Sequence, residues 1–149
     1  MLAVGDLAPD FPVVLADGTT RPFSSFRGRP VILYFFPKAN TSGCTVETRG
    51  FSERYEQLQH SGIEVIGVSV DSAETQAAFA EKCGSKFPMV GDRTKEVARK
   101  YGVLGFLGVA KRVTFFVDGE GRVRDVVEGL LPGPHLRAAD GWAARPNPP

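Results

Sequence analysis

Cysteine is scarce: Cys44 and Cys83 are the only two in 149 residues. So few thiols exclude a small fold held together by disulfides. The absence of any Cys-x-x-Cys pair argues against both a dithiol redox motif and a cysteine-rich zinc site. Histidine is equally rare. His60 and His135 stand alone and form no ligand cluster, and both are read as surface residues without chemistry. No metal and no bound organic cofactor is expected. An excess of one charge is also missing, with 18 Lys and Arg against 17 Asp and Glu. That balance excludes the electrostatic footprint of a nucleic-acid binder and a polybasic membrane patch. The longest apolar run, residues 31–36, falls far short of the roughly 20 residues that span a bilayer. The first residues carry neither the basic nor the apolar part of a signal peptide. The expectation is a cytoplasmic protein with no nucleic-acid and no membrane partner.

What is present suits one globular domain. Hydrophobic residues make up 42%, and eleven Phe supply bulky core filling. The domain is expected to cover residues 1–144, with the Arg-Pro-Asn-Pro-Pro end, residues 145–149, a disordered tail.

Asp17-Gly18 between apolar stretches signals a small hairpin ending near Phe23. Residues 31–36 are continuously apolar and β-rich, as in a strand buried on both faces, and Pro37 ends it. A helix should start between Ser42 and Thr45, with Phe51, Tyr55 and Leu58 on one face and Gly62 as its stop. Residues 63–70 form the next strand, parallel to the first. Asp71 or Ser72 caps a second helix running to about Lys82. A short strand at 87–90 and a helix at 94–101 follow. A Gly-containing connection, residues 103–110, leads to a hairpin of strands 112–117 and 122–127 turned at Asp118-Gly119, and then to a short helix that includes residues 134–142. The pattern is α/β. Its order resembles a thioredoxin-like three-layer fold, a central mixed sheet flanked by helices, with an added N-terminal β-hairpin.

Residues 37–47, Pro-Lys-Ala-Asn-Thr-Ser-Gly-Cys-Thr-Val-Glu, lie where such sheets place their sites, at the carboxyl end of a central strand. Cys44 falls in the first turn of the helix that follows. The thiolate is the reactive form of cysteine, and unpaired helix N–H groups and a nearby arginine both favour it. Pro37, Thr41 and Cys44 form Pro-x-x-x-Thr-x-x-Cys, which resembles the active-site motif of the peroxiredoxins. The surrounding residues 34–47 are similar to the bacterioferritin-comigratory, or Q-type, subfamily. Residues 5–11 resemble the family's N-terminal signature, and residues 112–118 its arginine-bearing late strand.

The resemblance implies a thiol peroxidase without cofactor. Cys44 would attack hydrogen peroxide or an organic hydroperoxide and become a sulfenic acid. Thr41 would hydrogen-bond the thiolate and the peroxide, Arg112 would stabilise both charges, and Pro37 would shield the sulfur. Glu47 either orients an arginine or is an ordinary first-turn acid. Plainer readings stand beside these: Cys44 as a small buried hydrophobe, Pro37 as a strand stop, Thr41 or Ser42 as a helix cap, Arg112 as an exposed strand residue. Phe36 and Phe87 read as core.

Many Q-type members carry a second cysteine five residues after the first, where this chain has Arg49. Cys83 stands where other members carry their resolving cysteine, so the resemblance implies a Cys44–Cys83 disulfide. Formation would require local unravelling, since a disulfide needs Cα atoms about 4.4–6.8 Å apart. The alternatives are a spectator Cys83 with an outside thiol resolving Cys44, or a non-catalytic thioredoxin-fold binding module. Thioredoxin, glutaredoxin or a small thiol would supply electrons. A monomer is expected, because the subfamily is often monomeric and no exposed apolar helix is evident.

Overall fold

The computed structural model describes residues 1–144. The tail, residues 145–149, lies outside the described residues. Strands β1 (Pro12–Val14) and β2 (Thr20–Pro22) make the N-terminal hairpin, and a single 3-10 turn, Phe23–Phe26, follows. The central sheet is built from β3 (Val31–Phe35), β4 (Glu64–Ser69), β5 (Met89–Gly91), β6 (Val113–Val117) and β7 (Val123–Glu128). Its order is β5-β4-β3-β6-β7. The β5-β4-β3 half is parallel, and β6 and β7 add antiparallel, so the sheet is mixed as the residue pattern requires. The helices are α1 (Ser42–His60), α2 (Ala73–Lys82), α3 (Glu96–Lys100) and α4 (Pro132–Ala143).

Every residue of β3, β4 and β6 is buried, which explains their unbroken apolar runs. Side chains alternate across the sheet. Ile32, Tyr34 and Phe36 enter a core with Phe51 and Leu58 of α1, Phe79 of α2, and Leu136 and Trp142 of α4. Val31, Leu33 and Phe35 enter the opposite core with Val97 and Ala98 of α3, Tyr101, and Phe11 and Phe23 from the hairpin region. The result is three layers. Tyr34 stacks on Phe51 with ring centroids 4.5 Å apart.

Side-chain caps account for several element boundaries. The Ser72 hydroxyl accepts from the Thr75 amide and starts α2. The Asp92 carboxylate accepts from Val97 and Ala98 amides and confines α3 to a shorter span than residues 94–101. Strand β5 begins two residues later than expected, after Pro88, and Phe87 is core. Gly50 matters for helix packing: a Cβ there would sit 2.5 Å from Leu136 Cδ1, so α4 rests directly on the α1 backbone.

Candidate active site

Strand β3 ends at Phe35, and the chain turns through Pro37 to Asn40, where the backbone is left-handed (φ 67°). The Asp71 carboxylate, at the β4–α2 junction, accepts from the Ala39 amide at 2.8 Å and from the Ser69 hydroxyl. The loop is thereby tied to the neighbouring strand's end. Helix α1 then begins with Thr41 at the N-cap. The first intrahelical bond runs from the Thr45 amide to the Thr41 carbonyl, so the amides of residues 42–44 point outward without an intrahelical acceptor.

Cys44 is buried in this first turn, at 1% exposure. Arg112 immediately precedes β6 and spends its whole guanidinium on fixed partners. Nη2 lies 3.4 Å from Cys44 Sγ, Nη1 donates to Glu47 Oε1 at 2.5 Å, and Nε donates to the Leu130 carbonyl at 2.8 Å. Gly43 makes that approach possible, because a Cβ there would stand 3.0 Å from Arg112 Nη2. Arg112 is thus buried and directed at the sulfur, and the exposed-strand reading fails.

Glu47 is fully buried, three residues after Cys44 on the same helical face. The reading as an ordinary first-turn acid gives way to the other, because its carboxylate is the partner of Arg112. Burial pushes its pKa from 4.5 to about 7, against the pull of Arg112. The raised value means that Glu47 lowers folded stability as pH climbs from about 4.5, where the unfolded chain ionises, to about 7. We expect Glu47→Gln to remove that decline. The difference between the urea midpoints of the two proteins, followed from pH 4 to 8, checks it.

His135 corrects the sequence reading: it is fully buried, not a surface residue. Its ring bonds Thr114 Oγ1 at 2.7 Å through Nδ1 and the Gly129 carbonyl at 2.9 Å through Nε2, and Nδ1 lies 3.9 Å from Glu47 Oε2. Burial pushes its pKa down, with Gly129 opposing and Arg112 adding to the fall. The signal was the helical stripe His135, Ala139, Trp142, spaced four and three apart. His60 is exposed, as expected.

Thr41 does not reach the sulfur. Its hydroxyl donates to the Lys38 carbonyl at 2.8 Å, closing the turn that the left-handed Asn40 makes. It starts the helix by position without a side-chain cap bond. Cys83 is the C-cap residue of α2 and a buried free thiol, as is Cys44. Burial raises the Cys83 pKa, while the charges of Arg49 on α1 and of Lys82 pull it down. A groove of about 370 Å³ opens beside Arg112, lined by Pro37, Phe106, Leu107, Val109 and Leu130. Phe106 is almost fully exposed and Leu107 largely so. Apolar surface is therefore present, most of it in loops. Among the described residues no cluster of metal-ligating side chains occurs, and no helix is long and apolar enough to cross a membrane.

A buried thiol in the first turn of a helix, faced by an arginine at the end of a mixed sheet, is the arrangement of a thiol peroxidase. Residues 4–126 match the AhpC/TSA family, and the chain belongs to it. Within that family it is similar to peroxiredoxin Bcp of Escherichia coli strain K12, with 32% identity over 148 residues and 95% of each chain covered. The crystal structure of peroxidoxin BcpB from Mycobacterium tuberculosis superposes with a TM-score of 0.86 at 32% identity, over 97% of this chain and 99% of that one. A structure of the Xanthomonas campestris bacterioferritin comigratory protein, from work on its alkyl peroxide reduction activity, has a TM-score of 0.79 at 28% identity, covering 89% and 92%. The chain is a peroxiredoxin of this group, a thiol peroxidase acting on hydroperoxides and reduced by thiol partners.

Proposed function

We propose that Cys44 is the peroxidatic sulfur and Cys83 the sulfur that resolves it within one chain. The observation that carries the first half is the Arg112 guanidinium 3.4 Å from Cys44 Sγ in a buried pocket. Attack by Cys44 on the terminal peroxide oxygen forms an S–O bond and breaks the O–O bond. Cys44 becomes a sulfenic acid, and the departing oxygen leaves as an alcohol or water carrying the proton the thiol gave up. Arg112 Nη2 and the outward amides of residues 42–44 stabilise the negative charge as it moves from sulfur to oxygen. Pro37 and the groove wall keep water away. Thr41 contributes through its place at the helix start and, once peroxide is bound, by turning its hydroxyl from Lys38 to the substrate. The groove's apolar lining favours organic hydroperoxides alongside hydrogen peroxide.

Cys83 then attacks the sulfenic sulfur, forming the disulfide and releasing water. The positive charge of Arg49, which favours the Cys83 thiolate, supports this step. Arg49 lies five residues past Cys44, a rise of about 7.5 Å along the helix. Unwinding the first turn of α1 and the last of α2 brings the two sulfurs together. Thioredoxin returns two electrons to the disulfide, with glutaredoxin or a small thiol as the other candidates. The protein acts as a monomer in the cytoplasm, a compartment that two free thiols suit.

Intact mass after one equivalent of hydrogen peroxide tests the scheme. The wild type should lose about 2 Da and yield a Cys44–Cys83 cross-linked peptide, whereas Cys83→Ser should gain about 16 Da on Cys44. Oxygen retained on wild-type Cys44 with Cys83 free would make it a one-cysteine enzyme. Unchanged mass would leave the non-catalytic binding module.

A further inference from the structure

One polar atom beside the reactive sulfur has no partner. Glu47 Oε2 is fully buried and accepts no hydrogen bond. Facing it, 3.9 Å away, is His135 Nδ1, equally buried. The histidine's state follows from its own partners. The Gly129 carbonyl can only accept, so Nε2 carries a hydrogen. In the neutral ring Nδ1 then accepts from the Thr114 hydroxyl. Thr114 lies two residues after Arg112, so both side chains leave the β6 segment on one face of the sheet, toward α1 and α4. His135 is held at both ring nitrogens and Glu47 at Oε1, which leaves Oε2 facing Nδ1 without a bond.

We propose, resting on the peroxidase reading, that His135 is a positioning residue for peroxide reduction: with Glu47 it holds a single shared proton against Arg112, and the presence of that proton decides how much of the Arg112 charge is left for Cys44. Arg112 serves two acceptors at once, Glu47 through Nη1 and Cys44 through Nη2. With the proton on the pair, the guanidinium faces one anion, the thiolate. Without it, the guanidinium divides between two. The shared proton needs only a short movement of Glu47 Oε2 toward Nδ1, with the Thr114 hydroxyl yielding its place.

The groups that face the pair are few. Arg112 comes from the residue before β6, Cys44 from one turn earlier on α1, and Tyr34 from β3. The Tyr34 phenol is buried, is raised far above its usual range and stays neutral. Burial opposes charge on both partners, raising Glu47 to about 7 and lowering His135. The pair therefore exchanges its proton near neutral pH. As pH rises through that point the Arg112 charge is drawn toward Glu47, and the rate of peroxide reduction breaks from the curve of a lone titrating thiol.

Imidazole NMR on the full chain tests the shared proton without reference to activity, because only His60 and His135 contribute. His135 should show a step near pH 7 that vanishes in Glu47→Gln. In parallel, the rate constant of reduced protein with hydrogen peroxide is measured from pH 5 to 9. The wild type should show an inflection at the pH of the NMR step. His135→Gln, which keeps hydrogen-bonding capacity but binds no proton there, should lose the inflection. His135→Leu should be slower at every pH by about tenfold, the scale on which partners behind a reacting group act, and slower than His135→Gln. A flat His135 NMR profile in the wild type overturns the proposal. So do His135→Gln and His135→Leu rates that fall equally while keeping the wild-type profile, since that describes packing alone. A protein that consumes no peroxide refutes the peroxidase reading, and the NMR arm still decides the shared proton.

Discussion

Arg112→Met should reduce the rate constant for peroxide by about 10²–10³-fold, the range measured when one donor to a developing oxyanion is removed. The loss has two sources. The sulfur loses the donor at 3.4 Å, and the departing oxygen loses the guanidinium that faces the sulfur. The same change strands Glu47, whose Oε1 has Arg112 as its ion partner in a fully buried site. Removing one member of a buried pair costs about 3–5 kcal/mol when the other stays charged. Glu47 avoids that full cost by taking up a proton, which its raised pKa makes easy near neutrality. Destabilisation should thus be larger at pH 8 than at pH 5. Adding Glu47→Gln to Arg112→Met should recover stability at pH 8 and none of the activity. Arg112→Lys should fall between, because an ammonium keeps the charge but cannot present three N–H groups in one plane to Cys44, Glu47 and Leu130. Equal activity of Met and wild-type proteins in stopped-flow peroxide consumption would remove Arg112 from the mechanism.

Phe51→Ala is expected to be the most damaging single change in the core. Phe51 is fully buried, stacks on Tyr34 at 4.5 Å and joins α1 to the sheet in the core that also holds Cys44. Large-to-small changes of this kind cost about 3–5 kcal/mol, a large fraction of the roughly 5–15 kcal/mol that holds a domain together. For a chain of this length the melting temperature should fall by about 10 °C or more. Calorimetry reads the loss directly. A fall below about 3 °C would mean that the site collapses around the cavity. Peroxide activity measured well below the new melting point should survive better than in Arg112→Met, since the guanidinium and the helix start remain.

The middle of the sheet was legible because β3, β4 and β6 are buried on both faces. Residues such as Val31 to Phe35 have no polar alternation to obscure them, and Asp-Gly turns mark both hairpins. Boundaries set by side-chain capping were harder. The start of α3 depends on Asp92, a residue four positions before the helix, and nothing in the local pattern announces it. At the site, Pro37, Cys44 and Arg112 were legible as a spaced motif and a distant arginine. Glu47 was ambiguous because a first-turn acid has a reason to exist without burial. His135 was misread because Pro134 and Arg137 make its surroundings look exposed, whereas its burial depends on counting back from Trp142. The direction of the Thr41 hydroxyl is a rotamer choice within a loop held by Asn40 and Asp71, which no spacing encodes.

Gly50 carries no chemistry, yet the reactivity of the sulfur is written partly in its missing side chain. A methyl group there would collide with Leu136, the neighbour of His135, and tilt α4 off α1. Drift at this position is therefore visible to selection as a change in peroxide handling. A screen for lost peroxide resistance should return Gly50 variants among those of Cys44 and Arg112, in proteins that are folded and whose reactive residues are all intact.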